Sequence, residues 1–140
     1  MIDGGLRPIF GSHLRHFDWQ SIESGMTGLG IPDSNYCVDG IEGWIEYKLS
    51  TSNKVRLRPE QVGWLTKRSR FGGRVFIAVR YRHDGGPRKG GAADELFLFS
   101  GRDAKEVLIR GLAFPPLARW TGGPARWDWP DIERRLRGRS

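Results

Sequence analysis

Cysteine is almost missing from this chain: Cys37 is the only one among 140 residues. An intramolecular disulfide is impossible, a multi-cysteine zinc site is excluded, and a reducing compartment is expected. No stretch approaches the roughly 18 consecutive apolar residues of a membrane span. The opening "MIDGGLRPIFGSHLRHFDW" also lacks the apolar core of a secretory signal. The expected location is cytoplasmic, the host cytoplasm if the chain is phage-encoded. Internal repeats and long low-complexity tracts are missing too. "GGPRKGG" is glycine-rich and basic, but it has neither the strand-loop-helix order nor the Lys-Ser/Thr pair of a nucleotide cradle. Ser34 follows Asp33 without a recognisable Ser-His-Asp arrangement, which argues against acyl transfer.

Acidic residues are in deficit, and the deficit is uneven. Net charge is +7; residues 1–70 hold nine basic against eight acidic side chains, and residues 71–140 hold fourteen against eight. Eighteen of the 23 basic residues are arginine, the side chain best matched to phosphate and to stacking. A polyanionic partner, most simply nucleic acid, is favoured, although a GC-rich genome also inflates arginine.

What is present suits one folded domain: 38% hydrophobic residues and six tryptophans. "SHLRHFDWQSIESG" predicts a first helix, with Ser12 as N-cap, Leu14, Phe17 and Ile22 toward one side, and Gly25 as its stop. "NYCVD" and "GWIEYKL" predict two strands joined through "GIEG". "RPEQVGWLTKRSRFGG" predicts a helix with Pro59 at its first position. "RVFIAVRYR" and "ELFLFS" predict strands, and "GRDAKEVLIRG" a short helix. The expected class is α/β (α+β), a central mixed sheet of four to five strands flanked by helices. Its core would span about residues 12–110, leaving 111–140 as an irregular, basic, Trp-rich tail with a short helix from Pro130.

Period-two alternation in "GWIEYKL" puts Trp44, Glu46 and Lys48 on one side and Ile45, Tyr47 and Leu49 on a core side. Asp33, in the preceding Pro-Asp turn, is positioned to return to the same end of the sheet. Converging carboxylates repel each other unless a cation lies between them, and oxygen ligands with open water positions suit Mg2+ or Mn2+. Such an ion lowers the pKa of bound water, and a lysine beside it would stabilise transition-state charge. The bland alternative is a solvated strand face carrying Glu46 and Lys48, with Asp33 an ordinary turn residue.

"GIPD", then twelve residues, then "EYK" resembles the PD-(D/E)xK nuclease signature, in its phage-type, Holliday-junction-resolvase-like and VRR-NUC-like branch. "WQSIESGMTGLGIPD" resembles the helix that carries a further acidic ligand just upstream of the Pro-Asp turn. "VRLRPEQVGWL" resembles the post-lysine segment with a helix-borne glutamine, and "GGRVFIAVRYR" the next core strand. The likeness covers about residues 14–82. It implies a restriction-endonuclease-like core, Asp33 and Glu46 as metal ligands, and Lys48 as the catalytic lysine. It also implies Glu23 as a third acidic ligand, against an exposed helix-end glutamate. Gln61 would support Lys48 or a phosphate, against plain surface polarity. Family members commonly dimerise. The expected activity is metal-dependent DNA endonuclease action on branched or structured DNA. A non-catalytic nucleic-acid-binding protein on the same fold, or a general phage nuclease, are the alternatives.

Further candidates are weaker. Arg56, Arg58, Lys67, Arg68 and Arg70, with Arg88 and Lys89 in the glycine loop, are expected either to contact phosphates or to remain solvated. His13 and His16 read as helix-surface residues, His83 has no evident partner, and Cys37 reads as a buried structural thiol. Trp120, Trp127 and Trp129 suit either base stacking or anchoring of the tail, and anchoring is favoured.

Overall fold

The computed structural model describes residues 3–22, 29–85 and 91–140. "RVFIAVRYR" becomes β4 (Val75–His83), an interior strand of the sheet. Its first six residues are all buried, so both of its faces are covered. Before it in the chain come α1 (Leu6–His13), β1 (Asp18–Ser21), β2 (Ser34–Val38), β3 (Ile41–Ser50) and α2 (Pro59–Arg70). After it come β5 (Ala93–Ser100), α3 (Ala104–Arg110), β6 (Ala118–Trp120) and α4 (Trp129–Arg137). The strands lie in sequence order; β3 and β4 are parallel and every other neighbouring pair is antiparallel. The parallel pair needs a crossover, and α2 supplies it.

The molecule is thus a mixed α+β fold, with a six-stranded sheet between two helical layers among the described residues. Alternation along the central strands sorts the core into two clusters. On one face Ile45, Tyr47, Phe76, Ala78, Leu96 and Leu98 pack under α1 and α4, which contribute Leu6, Phe10, Ile132 and Leu136. On the other face Val75, Ile77, Val79, Phe97 and Phe99 pack under Leu65 of α2 and Val107 of α3. No described helix is long and apolar enough to cross a membrane.

Several sequence expectations are corrected, the first being the strand count, which is six among the described residues rather than four to five. The first helix lies earlier than Ser12. Leu6 and Phe10, one helical turn apart, supply its buried stripe, and Pro8 falls in the first turn, where a missing N–H costs nothing. Leu14 and Phe17 are buried beyond the helix end, and "DWQS" becomes the edge strand β1. The hairpin turn is Asp39-Gly40 rather than "GIEG". Both residues have positive φ (50° and 77°), as a two-residue turn demands, and Val38 pairs Ile41 across it.

The core also extends past residues 12–110, from Leu6 to Leu136. The segment read as an irregular tail pairs as β6 with β5 and ends in α4. Trp120, Trp127 and Trp129 are buried, at 7%, 3% and 9% exposure, so none presents a free ring for stacking on bases. The Trp129 indole N–H donates to the Pro124 carbonyl at 2.8 Å, and that of Trp120 to Asp131 at 3.0 Å. At the start of α4 the Asp128 carboxylate accepts from the Asp131 N–H at 3.0 Å. Asp128→Ala is expected to remove about 1 kcal/mol of stability. Thermal melting should register this as a midpoint lower by about 2–4 °C.

Candidate active site

Three neighbouring segments build the site. Pro59 fixes the start of α2, and Gln61, in its first turn, reaches back so that its Oε1 accepts the Arg58 N–H at 2.9 Å. The same oxygen accepts from Lys48 Nζ at 3.1 Å, while Gln61 Nε2 donates to Glu46 Oε2 at 3.0 Å. This arrangement fixes the amide's orientation: flipped, its NH2 group would face two donors. Lys48 Nζ also lies 3.4 Å from Glu46 Oε2. The strand places Glu46 and Lys48 on one side, and the glutamine ties their heads together.

Asp33 arrives from the turn before β2. Its Oδ2 accepts the Tyr47 N–H at 2.8 Å, which pins the carboxylate beside the Glu46–Lys48 strand. The chain approaches through Gly30, whose φ of +76° is left-handed. A Cβ there would sit 2.1 Å from the Glu60 carbonyl, so the Gly-Ile-Pro-Asp loop lies directly against the first turn of α2.

Glu46 is 2% exposed. Its carboxyl is pushed up to about 8, chiefly by burial and then by Asp33, through charge and through a hydrogen bond that only a protonated carboxyl can make. Lys48 opposes the shift through its charge and its hydrogen bond. Desolvation therefore outweighs the lysine. Glu46 resists ionisation where it lies, beside Asp33, and a divalent cation would relieve that cost.

These groups open onto a cleft of about 490 Å3 lined by Asp3, Arg7, Asp33, Glu46, Tyr47, Lys48, Arg58 and Gln61. A bigger concavity of about 750 Å3 lies elsewhere, along Leu49, Arg82, His83, Asp94 and Gly122; none of the predicted site residues lines it. Hard oxygen donors in a partly open cleft fit Mg2+ or Mn2+, which are commonly held by one or two carboxylates with water and phosphate completing the shell. Asp33 and Glu46 are the described candidates for that role. Among the described residues no group of three His, Cys, Asp or Glu side chains gathers around a common point. Glu23 lies outside the described residues, as do Arg88 and Lys89.

Of the remaining predicted residues, Arg58 reaches the cleft, where it pairs with Glu60 at 3.1 Å. Arg56, Lys67 and Arg70 are exposed, and the Arg68 guanidinium lies 4.5 Å from the centre of the Trp64 ring. His13 and His16 do not form a pair. His13 stacks on Trp129, and His16 Nε2 meets Glu133 at 2.8 Å. His83 Nδ1 accepts the Gly85 N–H at 3.0 Å. Cys37 is half-buried rather than fully enclosed. Sequence reading missed Asp3 and Arg7. Nothing in their spacing links them to Asp33, because α1 reaches the cleft only through its packing on the far layer.

Comparison with protein-family models, with curated proteins and with solved structures returns no match.

Proposed function

We propose that this chain is a divalent-metal-dependent DNA endonuclease of the PD-(D/E)xK type, acting on branched or otherwise structured DNA. The reading rests on one observation. Asp33, Glu46 and Lys48 line a single cleft, and Gln61 hydrogen-bonds both the glutamate and the lysine. A binding module has no need of a buried carboxylate held at a raised pKa beside a lysine.

A Mg2+ or Mn2+ ion held by Asp33 and Glu46 would supply Lewis acidity and make bound water more acidic. The protein's own groups do the positioning. The Tyr47 N–H fixes one oxygen of Asp33, leaving Oδ1 toward the cleft. Gln61 holds Glu46 Oε2 and directs the Lys48 ammonium inward, where it would stabilise the extra negative charge of a phosphodiester under attack. The exposed Arg56, Lys67 and Arg70 would hold the backbone without reading bases, in keeping with recognition of DNA shape over sequence.

The test is a matched panel of single-strand, duplex, flap, splayed-arm and four-way-junction DNAs incubated with Mn2+. Paired, symmetric nicks confined to the junction are expected. Equal cutting of every substrate would replace structure selectivity with general nuclease action. Binding without cutting of any member would remove catalysis altogether.

A further inference from the structure

Arg7 enters the cleft from α1, with Nη2 3.6 Å from Asp33 Oδ1. Its backbone is fixed on both sides. Leu6 beside it and Phe10 one turn on are fully buried in the core. Just upstream, the Gly4 carbonyl accepts from Arg80 Nη1 at 2.6 Å. Arg80 is itself held by two hydrogen bonds to Asp94, at 2.8 and 2.7 Å. The guanidinium, in contrast, is one-third exposed (33%), and its approach to Asp33 is longer than a hydrogen bond. A firmly anchored stem carries a head that is free to turn.

Asp33 has one oxygen committed to the Tyr47 N–H, so Oδ1 is the oxygen it offers to the cleft. Arg7 occupies that direction. A divalent cation and a guanidinium cannot both draw close to one carboxylate oxygen without repelling each other, so the two compete for it. Once displaced, Arg7 remains beside Lys48 and Arg58 on the wall of the same cleft, where a backbone phosphate of the substrate would meet it.

Building on the metal-dependent reading above, we propose that Arg7 is the site's resident counter-ion: it neutralises Asp33 until a divalent cation takes its place, then turns to bind a substrate phosphate. Arg7 is a positioning and anion-binding residue that couples metal loading to DNA capture. It also lessens carboxylate repulsion around Asp33 in the metal-free protein.

Two measurements test this. Mn2+ affinity is determined calorimetrically without DNA for wild type, Arg7→Gln and Arg7→Lys. Junction-DNA affinity is determined by fluorescence anisotropy in Mn2+, with each Arg7 variant placed in a Lys48→Met background that suppresses cutting. Arg7→Gln is expected to bind Mn2+ about 5- to 10-fold more tightly, because the competitor is gone, with Arg7→Lys in between. Its DNA affinity is expected to fall about 10-fold. Damage to the fold would weaken metal binding, so tighter binding cannot arise from misfolding. An Arg7→Gln metal constant equal to or weaker than that of wild type overturns the competition, and an unchanged DNA affinity overturns the phosphate role. If wild type binds no Mn2+, the metal reading itself fails. If wild type binds Mn2+ and cuts DNA but Arg7→Gln is indistinguishable from it, only the assignment of Arg7 fails.

Discussion

Lys48→Met is expected to lower the single-turnover rate of DNA cleavage about 100- to 1,000-fold, the usual cost of deleting one well-placed electrostatic stabiliser. DNA binding should stay within a few-fold of wild type. Lys48 can act in two ways, and pH separates them. Its charge and hydrogen bond pull the Glu46 carboxyl down against burial, so removing it drives Glu46 further up. If lysine served only to keep Glu46 ionised, raising the pH from 7 to 9 would restore much of the rate. If the ammonium acts on the phosphodiester, the rate stays depressed across that range, and this is the expected outcome. A Lys48→Met protein that cuts within threefold of wild type would end the catalytic assignment of the residue.

Glu46→Gln is expected to abolish cleavage while making the metal-free protein more stable at alkaline pH. The carboxyl is raised from 4.5 to about 8 in the folded chain, so between those values the folded state binds more protons than the unfolded state. The group's cost to stability is therefore absent below pH 4.5, grows as pH rises, and is complete once pH passes about 8. At roughly 1.4 kcal/mol per pKa unit, the full cost is on the order of a few kcal/mol. Glutamine keeps a carbonyl oxygen for the Gln61 and Lys48 donors but never ionises. Urea unfolding from pH 5 to 9 should show wild-type stability falling and the Glu46→Gln curve much flatter, with the two crossing as pH rises. Mn2+ should stabilise wild type at pH 8.5 and leave Glu46→Gln largely unmoved. Parallel curves for the two proteins would contradict the buried, proton-holding state of Glu46.

Sequence periodicity was most informative where local chemistry alone decides the structure. Pro59 set the start of α2, the β-branched run set β4, and alternation in "GWIEYKL" put Glu46 and Lys48 on the face opposite Ile45 and Tyr47. Reading failed where tertiary packing chose between equal patterns. Leu14 and Phe17 sit at helical spacing after Ser12, yet Leu6 and Phe10 form the stripe that α1 buries. Nothing local distinguishes the two patterns. The three-residue strand β6 exists because β5 offers it an edge, not because "ARW" favours extension. Gln61 was legible as a helix-borne polar group, but its two hydrogen bonds, donated to Glu46 and accepted from Lys48, depend on how α2 crosses the sheet. Arg7 was invisible for the same reason, since its partner lies in a different segment of the chain.

The layer beneath β3 carries a consequence for timing. Asp33, Glu46, Lys48 and Gln61 all precede α4 in the chain by more than sixty residues, but Tyr36 and Tyr47 on the reverse of those strands share a core with Ile132 and Leu136 of α4. The Tyr36 hydroxyl donates to the Leu136 carbonyl at 2.6 Å, a bond that joins residues 100 positions apart. On the ribosome, then, the carboxylates and the lysine are made long before the helix that braces the sheet behind them. A nascent chain paused before residue 129 lacks that backing, so the cleft takes its finished shape only after α4 has emerged.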